Sequence, residues 1–350
     1  MERRFKELEL LGGNVKKKVC IIYTGGTIGM IPTKQGYVPR AGYLGGVLAS
    51  IDDLQNEKVP EWDMIEMSPL LDSSNMTVHE WNKIAEEIER NYDRYDGFVV
   101  LHGTDTMAYT AAALSFMLEN LSKPVVLTGS QIPFCEIRSD ARDNLITSLI
   151  IAGDGKANEV CLYFGGKLMR GNRATKYSAD GLIAFKTPNC PYLADAGIDI
   201  KYSEELLRVP SGESLAVKRL VPVPIGVIKV FPGIQFDLFE SIMTEKLKGI
   251  VIETFGAGNI PGDGNSLLPI IKKAFANGTV ITVCSQCPQG TVSLGTYETS
   301  SSLKAAGAVS GYDMTTEAAV VKLYYLFSCG YDGETVKRLM ETNLRGELSN

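Results

Sequence analysis

Histidine is nearly missing from this chain: His79 and His102 are the only two among 350 residues. A nucleophile relay built on histidine has almost nothing to draw on, and neither has a zinc site. No apolar run reaches the ~18 residues of a membrane span. The first nine residues are charged throughout and lack an apolar segment, so they do not read as a secretory signal. A dense basic patch is lacking too. The nearest is Lys16-Lys17-Lys18, which reads as a solvated strand entry. With a net charge of −6, binding to polyanions is disfavoured, and no nucleic-acid or membrane partner is expected. There is no G-x-x-x-x-G-K-[ST] and no G-x-G-x-x-G followed by an acidic residue, so a nucleotide-phosphate loop is not supported. Internal repeats and low-complexity tracts are also absent.

The seven cysteines are scattered, and Cys20, Cys161 and Cys284 fall in apolar runs. They read as reduced core thiols of a cytoplasmic protein. Cys284-Ser285-Gln286-Cys287 has C-x-x-C spacing but no second pair or histidine beside it, so a structural role is expected. The length points to two domains, and 45% apolar with 22% charged residues is ordinary for a globular protein.

What the chain does have is two threonine-rich segments, Thr24-Gly25-Gly26-Thr27-Ile28-Gly29 and His102-Gly103-Thr104-Asp105-Thr106. Each follows an apolar run, residues 19–23 and 98–101, of the kind that forms buried parallel strands. Both therefore belong at the carboxyl edge of an open α/β sheet, where ligands bind. Two hydroxyl clusters on one edge imply one site with two nucleophile candidates.

Strands are expected at 17–24, 98–101, 125–128 and 160–164, with helices opening at Thr77 and covering 105–121 and 140–152. Thr77-Val78-His79-Glu80 is a capping box, and Trp81, Ile84, Ala85 and Ile88 share one helical face. A long glycine-rich loop is expected between the first strand and that helix. Further strands are expected at 225–231, 249–254 and 279–284, and helices near 236–247, 265–277, 316–329 and 333–343. This order predicts a larger N-terminal α/β domain with a mostly parallel sheet (1–205), a proline-containing linker (206–224) and a smaller flavodoxin/Rossmann-like α/β domain (225–350).

Each motif also has a plain structural reading. Thr24-Gly25-Gly26-Thr27 alone could be an ordinary turn. Asp105 could cap the helix that follows it. Lys176 could be a surface lysine. Two further loop segments bear on the balance: Met67–Met76, which holds Asp72, Ser73 and Ser74, and Arg170–Lys176 beyond another strand.

These segments together resemble the bacterial-type L-asparaginases, and within them the cytoplasmic type I enzymes. The resemblance is carried by Tyr23-Thr24-Gly25-Gly26-Thr27-Ile28-Gly29-Met30, Pro69-Leu70-Leu71-Asp72-Ser73-Ser74 and Leu101-His102-Gly103-Thr104-Asp105-Thr106-Met107-Ala108-Tyr109-Thr110. It continues in Thr128-Gly129-Ser130-Gln131-Ile132-Pro133, Arg170-Gly171-Asn172-Arg173-Ala174-Thr175-Lys176 and Asn343-Leu344-Arg345-Gly346-Glu347-Leu348. It spans nearly the whole chain after about residue 17. The family includes glutaminase-asparaginases and the subunit that converts Glu-tRNA, so the match defines amide hydrolysis more narrowly than substrate. The resemblance implies Thr27 as nucleophile with Tyr37 beside it on a mobile loop, and Thr104, Asp105 and Lys176 as a second catalytic group. It implies Asp72, Ser73, Ser74 and Asp105 as substrate-holding residues, with Thr104 at the edge of both groups. It also implies a dimer, often paired into a tetramer, that hydrolyses L-asparagine to L-aspartate and ammonia.

The chemistry of amide hydrolysis agrees with that set. It needs a nucleophile, a base, an oxyanion site and a proton for departing ammonia. Lys176 bonded to Thr104, with Asp105 nearby, supplies a relay without histidine, and the N–H groups of Thr27 and Thr104 can face an oxyanion. Asp72 and Asp105 suit the substrate ammonium, and Ser73 with loop N–H groups suits its α-carboxylate. The reaction needs no metal or cofactor, and the sequence shows no ligand cluster. A non-catalytic amino-acid sensor should lack one of the five catalytic positions, and all are present. One departure stands out. Some type I enzymes bind a second asparagine through a threonine, an arginine and a cysteine. Here Thr175 and Cys287 are in place, but Glu253 stands at the arginine position, which argues against such regulation.

Overall fold

The computed structural model describes residues 16–242, 244–261, 267–296 and 298–349. The expectations for the first nine residues and for positions 265 and 266 lie outside them. The described residues begin with β1 (Lys18–Gly25), a hairpin of β2 (Met30–Thr33) and β3 (Gly36–Pro39), helix α1 (Tyr43–Ala49) and β4 (Glu61–Leu71). It continues through α2 (Val78–Asn91), β5 (Gly97–Leu101), α3 (Met107–Met117), β6 (Leu118–Glu119), β7 (Val125–Thr128), α4 (Ala141–Asp154), β8 (Val160–Phe164) and β9 (Lys167–Arg170). Short strands follow: β10 (Thr175–Lys176), β11 (Phe185–Lys186), β12 (Ala194–Ala196), β13 (Ile200–Tyr202) and β14 (Ala216–Val217).

Eight of these strands form one sheet in the order β13-β12-β9-β8-β7-β5-β1-β4, and β2-β3, β10-β11 and β14-β6 pair separately. Pairing is parallel from β4 through β8 and antiparallel beyond it. The apolar runs of β5, β7 and β8 are buried along their whole length, as central parallel strands must be. The capping box forms: Thr77 accepts from the His79 N–H, and Glu80 accepts from the Thr77 N–H.

The smaller part has four parallel strands in chain order, β15 (Ile225–Lys229), β16 (Gly249–Thr254), β17 (Val280–Ser285) and β18 (Val309–Ser310). Its helices are α5 (Leu267–Ala276), α6 (Glu298–Ala305), α7 (Thr316–Ser328) and α8 (Gly333–Met340). One hydrophobic cluster crosses from part to part, joining Val100, Leu114 and Phe116 to Val251, Leu323 and Leu326. Helix α3 lies within it, apolar on nearly every side, as a helix enclosed between layers must be. Phe116 stacks on Tyr325 with ring centroids 5.5 Å apart.

Several expectations are corrected. The presumed glycine-rich loop after β1 contains the β2–β3 hairpin, α1 and the eleven-residue β4. As an edge strand paired only with β1, β4 is half-polar and tolerates Pro69. The helix expected at 105–121 stops at Met117, and β6 then pairs with β14, which fastens the proline-containing stretch to the larger part. The segment expected to be helical at 236–247 is a 3-10 turn over Phe236–Ile242. Helix α6 and β18 had no sequence signal.

The C-terminal tail braces the site. Lys322 and Glu347 form a fully buried ion pair at 2.6 Å, and the ammonium also donates to the carbonyls of Met340 and Thr342. The Glu347 carbonyl accepts from Arg173, whose guanidinium also pairs with Asp313 at 2.7 Å. Arg173 lies three residues before Lys176 in the chain.

Candidate active site

Both threonine segments sit at the carboxyl ends of their strands and touch. Gly25 and Gly26 have φ of 118° and 81°, conformations that favour glycine. A methyl carbon on Gly26 would lie 2.3 Å from the Gly103 amide nitrogen, and one on Gly103 would lie 2.5 Å from Ser73 Oγ. The turns carrying Thr27 and Thr104 are therefore packed backbone against backbone, with the Ser73 side chain against Gly103. Hydrogen bonds hold them: Thr24 Oγ1 donates to the Leu101 carbonyl, the Gly26 N–H to Leu71 O, and Thr106 Oγ1 to Ser73 O. Thr27 remains partly exposed. It opens a single 3-10 turn, Thr27–Gly29, rather than an α-helix, so little helix dipole stands behind its N–H.

Thr104 is buried beside Lys176, whose Nζ donates to Thr104 Oγ1 at 2.9 Å and to Asp105 Oδ1 at 2.6 Å. Two structural alternatives fall here. Asp105 does not cap α3: the cap residue is Thr106, and the Asp105 carboxylate is bound by Lys176. Nor is Lys176 a free surface charge; its side chain is 21% exposed. The two-residue strand β10 turns alternate side chains to opposite faces, so Lys176 reaches the threonine turn while Thr175 donates to Glu317.

Gln131 had no role in the sequence reading. Its Oε1 accepts from the Thr104 hydroxyl at 3.1 Å, and its Nε2 donates to the carbonyls of Ala179 and Gly181, which orients the amide. The available signal was its place just beyond β7, on the same sheet edge.

Asp72 and Ser74 are exposed, with Asp72 Oδ1 accepting from the Ser74 N–H and hydroxyl, while Ser73 is buried against Gly103. Tyr37 lies on β3, and its hydroxyl donates to Glu136 at 2.9 Å. That bond, with Phe134 N–H donating to the Ile28 carbonyl, links the hairpin and the Thr27 turn to the segment after β7. Among the described residues Tyr37 makes no hydrogen bond with Thr27; it is 48% exposed.

His102 is fully buried. Its Nδ1 donates to the Gly103 carbonyl at 2.7 Å, and Nε2 accepts from Thr110, whose oxygen accepts from Trp81 Nε1. Burial pushes its pKa down to about 4, against the pull of the Gly103 carbonyl. A neutral imidazole thus supports the turn from behind.

Thr175, Glu253 and Cys287 line one cavity of about 310 Å³ beside Lys176, together with Glu317. Glu253 accepts from Thr316 at 2.6 Å, and Lys229 lies 3.7 Å away. Burial raises the pKa of Glu317 above the usual carboxylate range. All seven cysteines are free thiols, and burial raises the pKa of Cys284 to about 12. No helix among the described residues is long and apolar enough to cross a membrane.

The strand-end threonine turns on this two-part α/β frame define an amidohydrolase class, and the chain belongs to the asparaginase family. The Asparaginase N-terminal model matches residues 18–208, and the Glutaminase/Asparaginase C-terminal domain model matches 224–340. The chain is 46% identical over 335 residues to L-asparaginase 1 of Escherichia coli, covering 95% of this chain and 98% of that protein. The structure of L-asparaginase I from Vibrio cholerae is similar with a TM-score of 0.88 and 45% identity, over 96% of this chain and 100% of that one. The thermostable L-asparaginase from Thermococcus kodakarensis gives 0.86 and 31%, over 95% and 99%.

Proposed function

We propose that this protein is an L-asparaginase, hydrolysing the side-chain amide of L-asparagine to L-aspartate and ammonia through an acyl-threonine ester. The observation that carries the reading is the Lys176–Thr104–Asp105 cluster, held against the Thr27 turn by contact between Gly26 and Gly103. Thr27 Oγ attacks the amide carbon, and the N–H groups of Thr27 and Thr104 face the developing oxyanion. The proton given up by the Thr27 hydroxyl leaves with ammonia, and water then hydrolyses the ester, its OH going to the released aspartate and its proton to Thr27 Oγ. The 2.9 Å contact between Lys176 and Thr104 serves proton transfer with donor and acceptor exchanged once the amine is neutral. Gln131 holds Thr104 Oγ1 in line between transfers. Asp72 and Asp105 take the substrate ammonium, and Ser73 and Ser74 its α-carboxylate. Tyr37 joins Thr27 when the hairpin closes.

In this reading residues 1–205 carry every proposed catalytic group, 206–224 form the linker, and 225–350 form the second domain. The working form is a cytoplasmic homodimer or pair of dimers, which light scattering measures directly. The central test is Thr27→Ala. It is expected to fold, to bind L-aspartate and to lose at least ~10³-fold in kcat. Near-parental turnover removes Thr27 from the mechanism. Ammonia release from asparagine and glutamine, across concentrations, separates an asparaginase from a broader glutaminase-asparaginase.

A further inference from the structure

On the sheet edge away from the threonine turns lies a cavity of about 340 Å³ into which Arg170, Arg208 and Arg345 project. We propose that it is a binding site for a small oxyanion, a carboxylate or phosphate group on a compact organic body, with Arg208 as its principal partner.

The cavity is bounded by the C-terminal end of α3 and by the first residues of β8. Helix α3 starts at the Thr104 turn and runs for eleven residues, or about 16 Å. That length separates the cavity from the candidate active site, so an anion here is not the substrate.

The charges do not balance. Arg170 is paired: Nε and Nη2 grip Glu159 at 2.6 and 3.2 Å, and Nη2 also donates to the Leu206 carbonyl at 2.6 Å. Arg345 donates to the Leu344 carbonyl and has Glu119 at 3.5 Å, a carboxylate that also accepts from Tyr325. Arg208 is half-buried and has no ion pair or hydrogen bond among the described residues. With Glu347 already paired to Lys322, three guanidinium groups thus share two carboxylates, Glu159 and Glu119. Burial first, then the repulsion of Arg170 and Arg345, holds the Arg208 pKa below its usual value, against the pull of Glu159 and Glu347.

A partly desolvated cation without a partner destabilises the fold that contains it. A carboxylate or phosphate fits the planar fork of a guanidinium with two parallel bonds, and such an ion removes the imbalance. Leu118, Leu121 and Val209 give the cavity an apolar wall for the body of the ligand. The size of the cavity suits a compact ion, and the chain's net charge of −6 disfavours an extended polyanion.

Isothermal titration of the intact protein with inorganic phosphate, glycerol 3-phosphate and succinate tests the site, with sodium chloride as control. The succinate arm is run on the parent and on Arg208→Gln, so that any succinate held at the candidate active site is common to both and is subtracted. Saturable binding of one probe per chain is expected, and no saturation with chloride. Phosphate probes binding without succinate assign a phosphoryl ligand; the reverse assigns a carboxylate. Arg208→Gln is expected to weaken binding at least tenfold while keeping parental amide hydrolysis and a thermal midpoint no lower than wild type. Arg208→Lys keeps the charge without the fork and should bind with intermediate affinity; it also serves if the glutamine variant fails to fold. Absence of saturable binding by all three probes overturns the proposal, and so does parental affinity in both Arg208 variants.

Discussion

Gly26 and Gly103 meet backbone to backbone, with a methyl carbon on Gly26 placed 2.3 Å from the Gly103 nitrogen. This contact sets the distance between the two threonine turns. Gly26→Ala is expected to cost about 2–5 kcal/mol, from the strain of φ 81° plus a clash with backbone that cannot move aside. Gly46 is the control: it lies in α1, has open space around it and is expected to gain about 0.5–1 kcal/mol as alanine. Urea denaturation of both variants measures the contrast. Equal stabilities would show that the Gly26 turn relaxes freely.

The second prediction concerns Lys176 and Thr104, 2.9 Å apart. Lys176→Met keeps most of the stem and should abolish turnover with little loss of thermal stability. Lys176→Arg keeps the positive charge but cannot become neutral at working pH. If proton transfer is the role, both variants fail in kcat. Recovery of kcat by arginine would assign the lysine to charge alone.

His102 makes stability depend on pH. Its folded pKa of about 4 lies below the ordinary 6.5, so the unfolded chain binds more protons in that window. Stability is therefore fully present above pH 6.5 and falls as the pH drops from 6.5 to 4, by on the order of 3 kcal/mol in all. Urea midpoints of His102→Gln should decline less steeply across this interval than those of the parent. Parallel curves would mean that the imidazole is already charged or solvated in the fold.

Tyr37 and Glu136 hold the hairpin through a 2.9 Å hydrogen bond, beside a longer one from Cys135 Sγ to the Met30 carbonyl. Glu136→Ala should accelerate hydrogen exchange of the amides between residues 36 and 39 in the unliganded protein. L-Aspartate should protect residues 29–42 in both variant and parent, since closure brings Tyr37 to the substrate. Protection that ignores the ligand would mark a fixed hairpin.

Glu253 predicts the form of the rate curve. An α-carboxylate in the cavity of Thr175, Cys287 and Glu317 faces Glu253 at close range, and like charges there cost roughly 1 kcal/mol or more. A hyperbolic dependence on asparagine with a Hill coefficient near one is expected. A sigmoidal curve from the stable oligomer would require a different cation to take the second carboxylate.

The sequence by itself determined the central strands and the place of the threonine turns at their ends. Phe98–Leu101 and Val125–Leu127 are apolar at every position because both faces of the sheet are covered, and a pattern so uniform needs no partner to be read. Thr77 and Glu80 announce their helix because a capping box is completed within four residues. Thr27, Thr104 and Lys176 were legible as motifs for the same reason, each lying in a short run with its own turn chemistry. Contacts across long stretches of chain were decided only in the tertiary structure. β4 was hidden because its alternation breaks at Met64-Ile65 and at Pro69-Leu70-Leu71, and a proline argues against a strand until β1 is seen to pair with it. Asp105 reads equally as a cap or a lysine partner until β10 brings Lys176 to within 2.6 Å of it. Gln131 offers only its place just beyond β7, and Glu317 and Arg208 carry no local signal at all. The partners of the first two lie on distant segments, and the missing partner of Arg208 is visible only once Arg170 and Arg345 have been folded against it. Sequence patterns report what local backbone geometry and burial demand, whereas distances between segments far apart in the chain arise only when the layers pack.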